Sequence, residues 1–201
     1  IMAETSMRHM FAGGNTALGF FSYYDYIIDW EKAKGIYILK GGPGVGKSTF
    51  IKEVGMEMIK RGYEVEYFHC SSDSDSLDGV AVPKLKAAVI DGTSPHIIDP
   101  KYPGVVDKII NLGDFWNLEG LKKDKENILE KRKEIKKYFD RAYRYLKSAG
   151  LLYEDIEFFY SCALNSSKAV KIAEELIEDL FGSKKTSEKE GRQRYLFASA
   201  I

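Results

Sequence analysis

Residues 35–49 read GIYILKGGPGVGKST, and the fold turns on this stretch. Gly35–Lys40 is a short, β-branched and aromatic run bounded by glycines, the signature of a strand. Gly41, Gly42, Pro43, Gly44, Val45, Gly46, Lys47 and Ser48 then match G-x-x-x-x-G-K-[ST] in full. In the FIKEVGMEMIKRG segment that follows, Phe50, Ile51, Val54, Met58 and Ile59 fall on one helical face, and Gly62 is a natural stop. Strand, glycine-rich turn and helix in this order make a phosphate cradle. Glycines let successive backbone N–H groups turn into one concavity, and the helix adds its positive end. Lys47 is placed to reach the β- and γ-phosphates, Ser48 to ligate Mg²⁺, and Thr49 to add a hydroxyl at the α-phosphate. A glycine-rich turn with no ligand needs neither lysine nor serine at those two positions.

The strands outward from the cradle predict the sheet. Glu64–Cys70 (EVEYFHC) is a second strand. Lys86–Asp91 (KAAVID) is a third, nearly all apolar, as a strand covered on both faces would be. A strand, a helix and a further strand argue for a crossover and a mainly parallel α/β sheet. Asp91, at the carboxyl end of the third strand, is the candidate second Mg²⁺ ligand, because ligands collect at that end of open α/β sheets. The competing reading is that Asp91 merely opens an Asp91-Gly92 turn. No glutamate follows Asp91 to activate water. His96, Asp99 or an acid of the 68–80 stretch, Asp73 or Asp75, are the candidates for that task, against a structural role for a histidine beside Pro95.

Between the second and third strands the chain reads FHCSSDSDSLDGV, residues 68–80. It fails as a calcium loop: counted from Asp73, Leu77 and Asp78 stand where an acid or amide and a glycine are needed, and Lys84 replaces the closing glutamate. Following the strand after the cradle's helix, the stretch is expected to lie beside the phosphates, with Asp73 and Asp75 as candidate catalytic acids and Asp78-Gly79 as a turn. His69 and Cys70 read as core packing, since no metal-spacing partners accompany them.

Val105–Leu112 fits a strand or a helical turn equally well. Beyond it, Leu121, Ile128, Ile135 and Ala142 are seven apart and Phe139 and Leu146 extend their face. A second helical stretch, from Leu151 to Phe181, carries Ile156, Phe159, Ala163, Val170, Ala173, Ile177 and Leu180. With Ser148-Ala149-Gly150 as the reversal, these predict a long antiparallel helical hairpin, about residues 117–182, inserted into a core of about 1–116 and 192–201. Tyr138, Tyr143, Tyr145, Tyr153 and Tyr160 are expected to pack within it. Arg141 and Arg144 read as surface residues, or as cations that swing over the phosphates if the hairpin is a lid. Residues 182–191 read as a polar loop and Arg194–Ala198 as a last strand.

The 201 residues suit one domain, and 30 basic residues balance 30 acidic ones, which gives no drive toward nucleic acid or an anionic membrane. No apolar run approaches a membrane span. Two cysteines without metal spacing, Cys70 and Cys162, fit a reducing, cytoplasmic setting. The N/T-K-x-D guanine motif is missing, so adenine is the expected base.

The segments IYILKGGPGVGKST, EYFHCSSDSDSLDGV and AVIDGTSPHIIDPKYPG, with the opening RHMFAGGNT and the closing RYLFASA, resemble a family of bacterial P-loop ATPases or ATP-binding proteins. Its members carry two P-loop halves in tandem. The resemblance implies a P-loop NTPase-like fold and ATP binding, with Lys47 and Ser48 at the matching positions, and makes this chain the first half of a duplicated protein. Residues 8–14 (RHMFAGG) echo residues 194–200 (RYLFASA), either as two similar edge strands or as the start of a second copy. A second P-loop domain, a homodimer mate, or a protein bound through the hairpin are the partners this organisation suggests. Three functions remain open at this level: slow Mg-dependent ATP hydrolysis coupled to conformational change, a small-molecule or nucleotide kinase, and a non-catalytic nucleotide-dependent interaction module.

Overall fold

A computed structural model describes residues 6–182, 191 and 193–199. In chain order the strands are β1 (Met7–Phe11), β2 (Gly13–Thr16), β3 (Gly19–Ser22), β4 (Gly35–Lys40), β5 (Val65–Cys70), β6 (Asp73–Val82), β7 (Ala87–Asp91), β8 (Asp107–Asn111) and β9 (Ala198–Ser199). The helices are α1 (Lys47–Lys60), α2 (Leu118–Lys123), α3 (Lys125–Ala163) and α4 (Ser166–Phe181). The protein is α/β, with a mixed, mostly parallel sheet flanked by helices, in the order β8-β4-β7-β6-β5-β1-β9. The pairs β4–β7, β4–β8 and β1–β5 are parallel, whereas β6 runs antiparallel between β5 and β7.

The alternation of each strand explains how both faces are covered. Ile36 and Ile38 of β4, Phe68 of β5, Ala81 of β6, and Ala88 and Ile90 of β7 point to one face. Leu39, Val65, Tyr67, Val80, Val82 and Val89 point to the other. On that second face lies α1, whose Ile51 is fully buried, with Val54, Met58 and Ile59 alongside. Gly55 lets the helix come close, since a Cβ there would lie 2.4 Å from the Tyr67 ring. The first face is covered by an irregular segment after β3, which buries Tyr24, Ile27, Ile28 and Trp30. Each such aliphatic side chain removed from water contributes roughly 1.5–3 kcal/mol.

Several sequence expectations are corrected here. Residues 73–82 are a ten-residue strand rather than a loop. The expected Asp78-Gly79 turn is instead mid-strand, Gly79 pairing with Phe68 on one side and Ile90 on the other. The crossover from β4 to β5 exists, but β7 and β6 stand between those strands. The open segment at 105–112 resolves into β8 and a 3-10 turn at Leu112–Phe115. The last strand is Ala198–Ser199 only, antiparallel to β1, so the two echoing segments pair with each other. Most of the expected loop at 182–191 lies outside the described residues.

The reversal at Ser148–Gly150 is not formed: α3 runs unbroken for 39 residues. Gly150 serves a close approach, because a Cβ there would lie 2.7 Å from the Ala17 side chain in the β2–β3 turn. Two turns earlier on the same face, Tyr143 donates its hydroxyl to Asn15 Oδ1 at 2.6 Å. The break falls at Leu164–Asn165, where Asn165 Oδ1 caps α4 by accepting from the Lys168 N–H at 3.0 Å. Neither α3 nor α4 buries a residue, and Tyr138, Tyr145, Tyr153 and Tyr160 are exposed rather than packed within a hairpin. Among the described residues no helix is long and apolar enough to cross a membrane.

Arg194 ties the end of the chain to the sheet. Its guanidinium holds the buried Glu66 carboxylate with two bonds of 2.6 and 2.9 Å and donates to the carbonyls of Tyr26 and Ile27 at 3.0 and 3.1 Å. Among the described residues, the exposed Arg8 is a further cation near Glu66, at 3.7 Å. Arg194→Ala therefore strands a carboxylate in the interior and is expected to destabilise the fold by roughly 3 kcal/mol in urea unfolding. Arg194→Lys should recover only part of this, because an ammonium cannot match the two-pronged geometry.

Candidate functional site

The glycines at 41, 44 and 46 adopt φ of 150°, 78° and 92°, and open space surrounds the positions of absent Cβ atoms at Gly44 and Gly46. These conformations curl the backbone between β4 and α1 as the sequence pattern demands. α1 starts at Lys47 with Gly46 as a left-handed cap and no side-chain cap. The first intrahelical acceptance is Phe50 N–H to Gly46 O at 2.9 Å. The N–H groups that open the helix are thus available to an anion. The Trp116 ring lies over the loop, 2.5 Å from where a Cβ on Gly42 would stand.

Lys47 is folded back into this loop. Its ammonium donates to the Gly41 and Gly42 carbonyls, each at 3.0 Å, and stands 3.6 Å from Asp91 Oδ2. Asp91 ends β7, directly beside β4, which is how a buried strand delivers a carboxylate under the glycine-rich loop. Its Oδ1 accepts from the Thr93 N–H at 2.9 Å and the Thr93 hydroxyl at 2.6 Å. The turn reading of Asp91 therefore holds, since one oxygen caps the following turn, while the other oxygen faces Lys47. Gly92 is required at the bend, where a Cβ would approach Ile38 to 2.4 Å. Ser48 Oγ accepts the Leu77 N–H of β6 at 2.8 Å, which fixes its hydroxyl oxygen at the start of α1.

Beneath the loop sits a polar cluster that the sequence did not disclose. Asp78, Asp91 and His96 are all buried, and ligand-capable atoms of the three lie within 4.8 Å of one another. His96 Nε2 is 3.8 Å from Asp78 Oδ2 and has no hydrogen-bond partner. Tyr24 stacks on the His96 ring at 4.2 Å between centroids and donates its hydroxyl to Asp78 Oδ2 at 2.7 Å. The loop carrying His96 is pinned by Lys40, whose ammonium donates to the Gly92 and Ile98 carbonyls at 2.8 and 2.7 Å. Asp99 is the exposed partner of the same lysine at 3.4 Å.

Burial dominates the protonation of the cluster. It raises the Asp78 carboxyl above its usual range, against the opposing pull of His96 and the Tyr24 hydrogen bond. It lowers His96, against the opposing pull of Asp78 and Asp91, and the Lys47 ammonium lowers it further. Tyr24 is pushed well up, first by burial and then by Asp78. Cys70 is raised by burial too.

The structure thus brings Gly41–Thr49, Asp91 and His96 to one end of the sheet. Asp73 and Asp75 are exposed at the beginning of β6, where Asp73 Oδ1 accepts the Asp75 N–H at 3.2 Å. His69 lies against His9 at 2.8 Å rather than in the core. Arg141 stacks over Tyr145 at 5.7 Å, and Arg144 lines a surface cleft with Ala17 and Tyr143. Asp78 and Tyr24 are the residues sequence reasoning missed. The signal for Asp78 was its place in LDGVAV, an acid two residues before an apolar run that continues as a buried strand.

Comparison with protein-family models, with curated proteins and with solved structures finds no match to this chain.

His96 is expected to titrate below the ordinary imidazole value of about 6.5 in a histidine ¹H–¹³C NMR titration. Asp78→Asn should move its midpoint lower still, because a carboxylate favouring the imidazolium is gone. Between pH 6.5 and the folded midpoint the unfolded chain takes up a proton that the folded chain refuses. The His96 contribution to stability therefore falls as pH drops through that window.

Proposed function

We propose that the chain binds ATP with Mg²⁺ and hydrolyses it slowly, with turnover tied to conformational change. The observation that carries this reading is the arrangement at the start of α1. An uncapped helix terminus, three glycines at positive φ and the Lys47 ammonium converge on one concavity, with Asp91 at the end of the adjoining strand.

The residues present fit a magnesium nucleotide. Ser48 has its hydroxyl oxygen held at the helix start by the Leu77 N–H, and Asp91 Oδ2 is engaged only by an ammonium that phosphates can draw away. Ser48 and Asp91 would hold the ion, which when bound neutralises charge on the phosphate oxygens. Lys47 exchanges its bonds to the Gly41 and Gly42 carbonyls for phosphate oxygens, and the backbone N–H groups at the uncapped start of α1 hold the anion in place. Slow turnover follows from the surroundings of Asp91. The neighbouring position is Gly92, which supplies no carboxylate to orient water, and the nearest acid and base, Asp78 and His96, are buried.

Trp116 and the buried Trp30 are the chain's two tryptophans, so nucleotide entry beside Gly42 should alter the fluorescence of Trp116. Calorimetry with Mg-ATP is expected to show one site. Lys47→Ala should weaken it about 10- to 100-fold, the value of a hydrogen bond to a charged group. Phosphate release without a phosphorylated product supports hydrolysis, and a phosphorylated small molecule would instead identify a kinase. Wild-type protein that neither binds Mg-ATP nor shifts its fluorescence would overturn the proposal.

A further inference from the structure

The geometry points to a second cation site, which shares Asp91 with the proposed magnesium site but needs no nucleotide: Asp78, Asp91 and His96 bind one first-row divalent transition-metal ion beneath the glycine-rich loop. The sequence offers no metal spacing, since the three residues come from β6, the end of β7 and the loop beyond it. The fold alone assembles them.

Two independent observations meet here. The first is the trio itself, with an imidazole nitrogen and two carboxylates within 4.8 Å of one another. Bonds of about 2.1 Å to one ion place ligand atoms roughly 3 to 4.2 Å apart, so atoms at the 4.8 Å limit close by about 0.6 to 1.8 Å, within reach of side-chain rotation, to complete the set. The second is His96 Nε2, on a side chain only 4 % exposed, which is aimed at Asp78 and has no partner. Buried nitrogen atoms rarely go unsatisfied, and 3.8 Å is too long for a hydrogen bond to Asp78. An ion between them satisfies both.

The donor set selects the class of ion. Imidazole favours zinc, iron and manganese over magnesium or calcium, and two carboxylates disfavour the soft ions that thiolates hold. The surroundings are those of a metal ligand set. Tyr24 orients Asp78 by a 2.7 Å hydrogen bond and fixes the His96 ring by stacking, and Thr93 occupies the far oxygen of Asp91. Lys47, 3.6 Å from Asp91, is the competing cation. An ion in the site displaces that ammonium toward the phosphate loop.

The test uses the purified chain, stripped with chelator and titrated with Mn²⁺ without nucleotide. One equivalent is expected to bind in the micromolar range, with a ¹⁴N coupling from a single imidazole in pulsed electron paramagnetic resonance. His96→Gln should remove the nitrogen coupling and weaken binding at least tenfold. Ser48→Ala should retain both, because Ser48 lies outside the trio. Lys47→Ala should bind Mn²⁺ several-fold more tightly while losing Mg-ATP, so the ion site and the nucleotide reading can fail separately. Absence of binding up to millimolar Mn²⁺, or binding without nitrogen coupling, would overturn the site on the wild-type protein alone, whatever the variants do.

Discussion

An acid is buried inside the sheet at Asp78, where burial pushes it toward its neutral form. A polar group taken out of water is costly unless it is hydrogen-bonded. Asp78 meets this demand with the Tyr24 hydroxyl and the nearby His96. Tyr24 in turn belongs to the segment that covers the first face of the sheet, together with Ile27, Ile28 and Trp30. That segment is positioned by Arg194, through the Tyr26 and Ile27 carbonyls. The end of the chain therefore helps to seat the tyrosine that stabilises an acid under the phosphate loop. Packing and site are the same set of contacts viewed from two ends.

The charges of the site make a consistent set only when read together. Lys47 brings one positive charge to Asp91, and burial discourages charge on both Asp78 and His96. The resting state thus holds one ammonium against one carboxylate, with the second acid and the imidazole biased toward neutrality. Under the two proposals, phosphate oxygens at the helix start would pull Lys47 out of the cluster and an ion beneath it would repel that lysine, so each would favour the extended lysine that the other requires.

What the sequence disclosed and what it hid follow from the range of the interactions involved. The β4–loop–α1 unit was legible because it is local: glycine conformations, helix start and hydrophobic face are all set within Gly35–Lys60. β7 and Asp91 were legible for a similar reason, an apolar run ending in an acid. β6 was hidden because its first half, DSDS, has the composition of a turn, and its extended form goes with long-range pairing to β5 at Asp73 and Leu77. Asp78 was misread along with it, since Asp-Gly is a turn signal only when the chain is free to turn. His96 was visible as a residue, but its partners come from distant segments, so its chemistry was not. Gly150 shows the opposite error. It sits within α3, where a helix tolerates a glycine at about 1 kcal/mol, and its purpose is contact with Ala17.

That contact bears on how a phosphate site can be connected to a long helix. Asn15 accepts the Tyr143 hydroxyl and donates to the Ser71 carbonyl and the Ser72 hydroxyl at 3.2 and 3.3 Å. Those serines form the turn between β5 and β6, and β6 continues to Leu77, whose N–H holds Ser48. One strand thus joins the first turn of α1 to the turn that Asn15 clasps, and Asn15 joins that turn to α3. A register of hydrogen bonds along β6 is stiff in the strand direction, so a shift at Ser48 cannot be absorbed locally without breaking pairs to β5 or β7. The β5–β6 ladder is already irregular between Phe68 and Cys70, next to the turn. β6 thus links Leu77, which holds Ser48, through its irregular pairing with β5 to the turn at Ser71 and Ser72 that Asn15 and Tyr143 tie to α3.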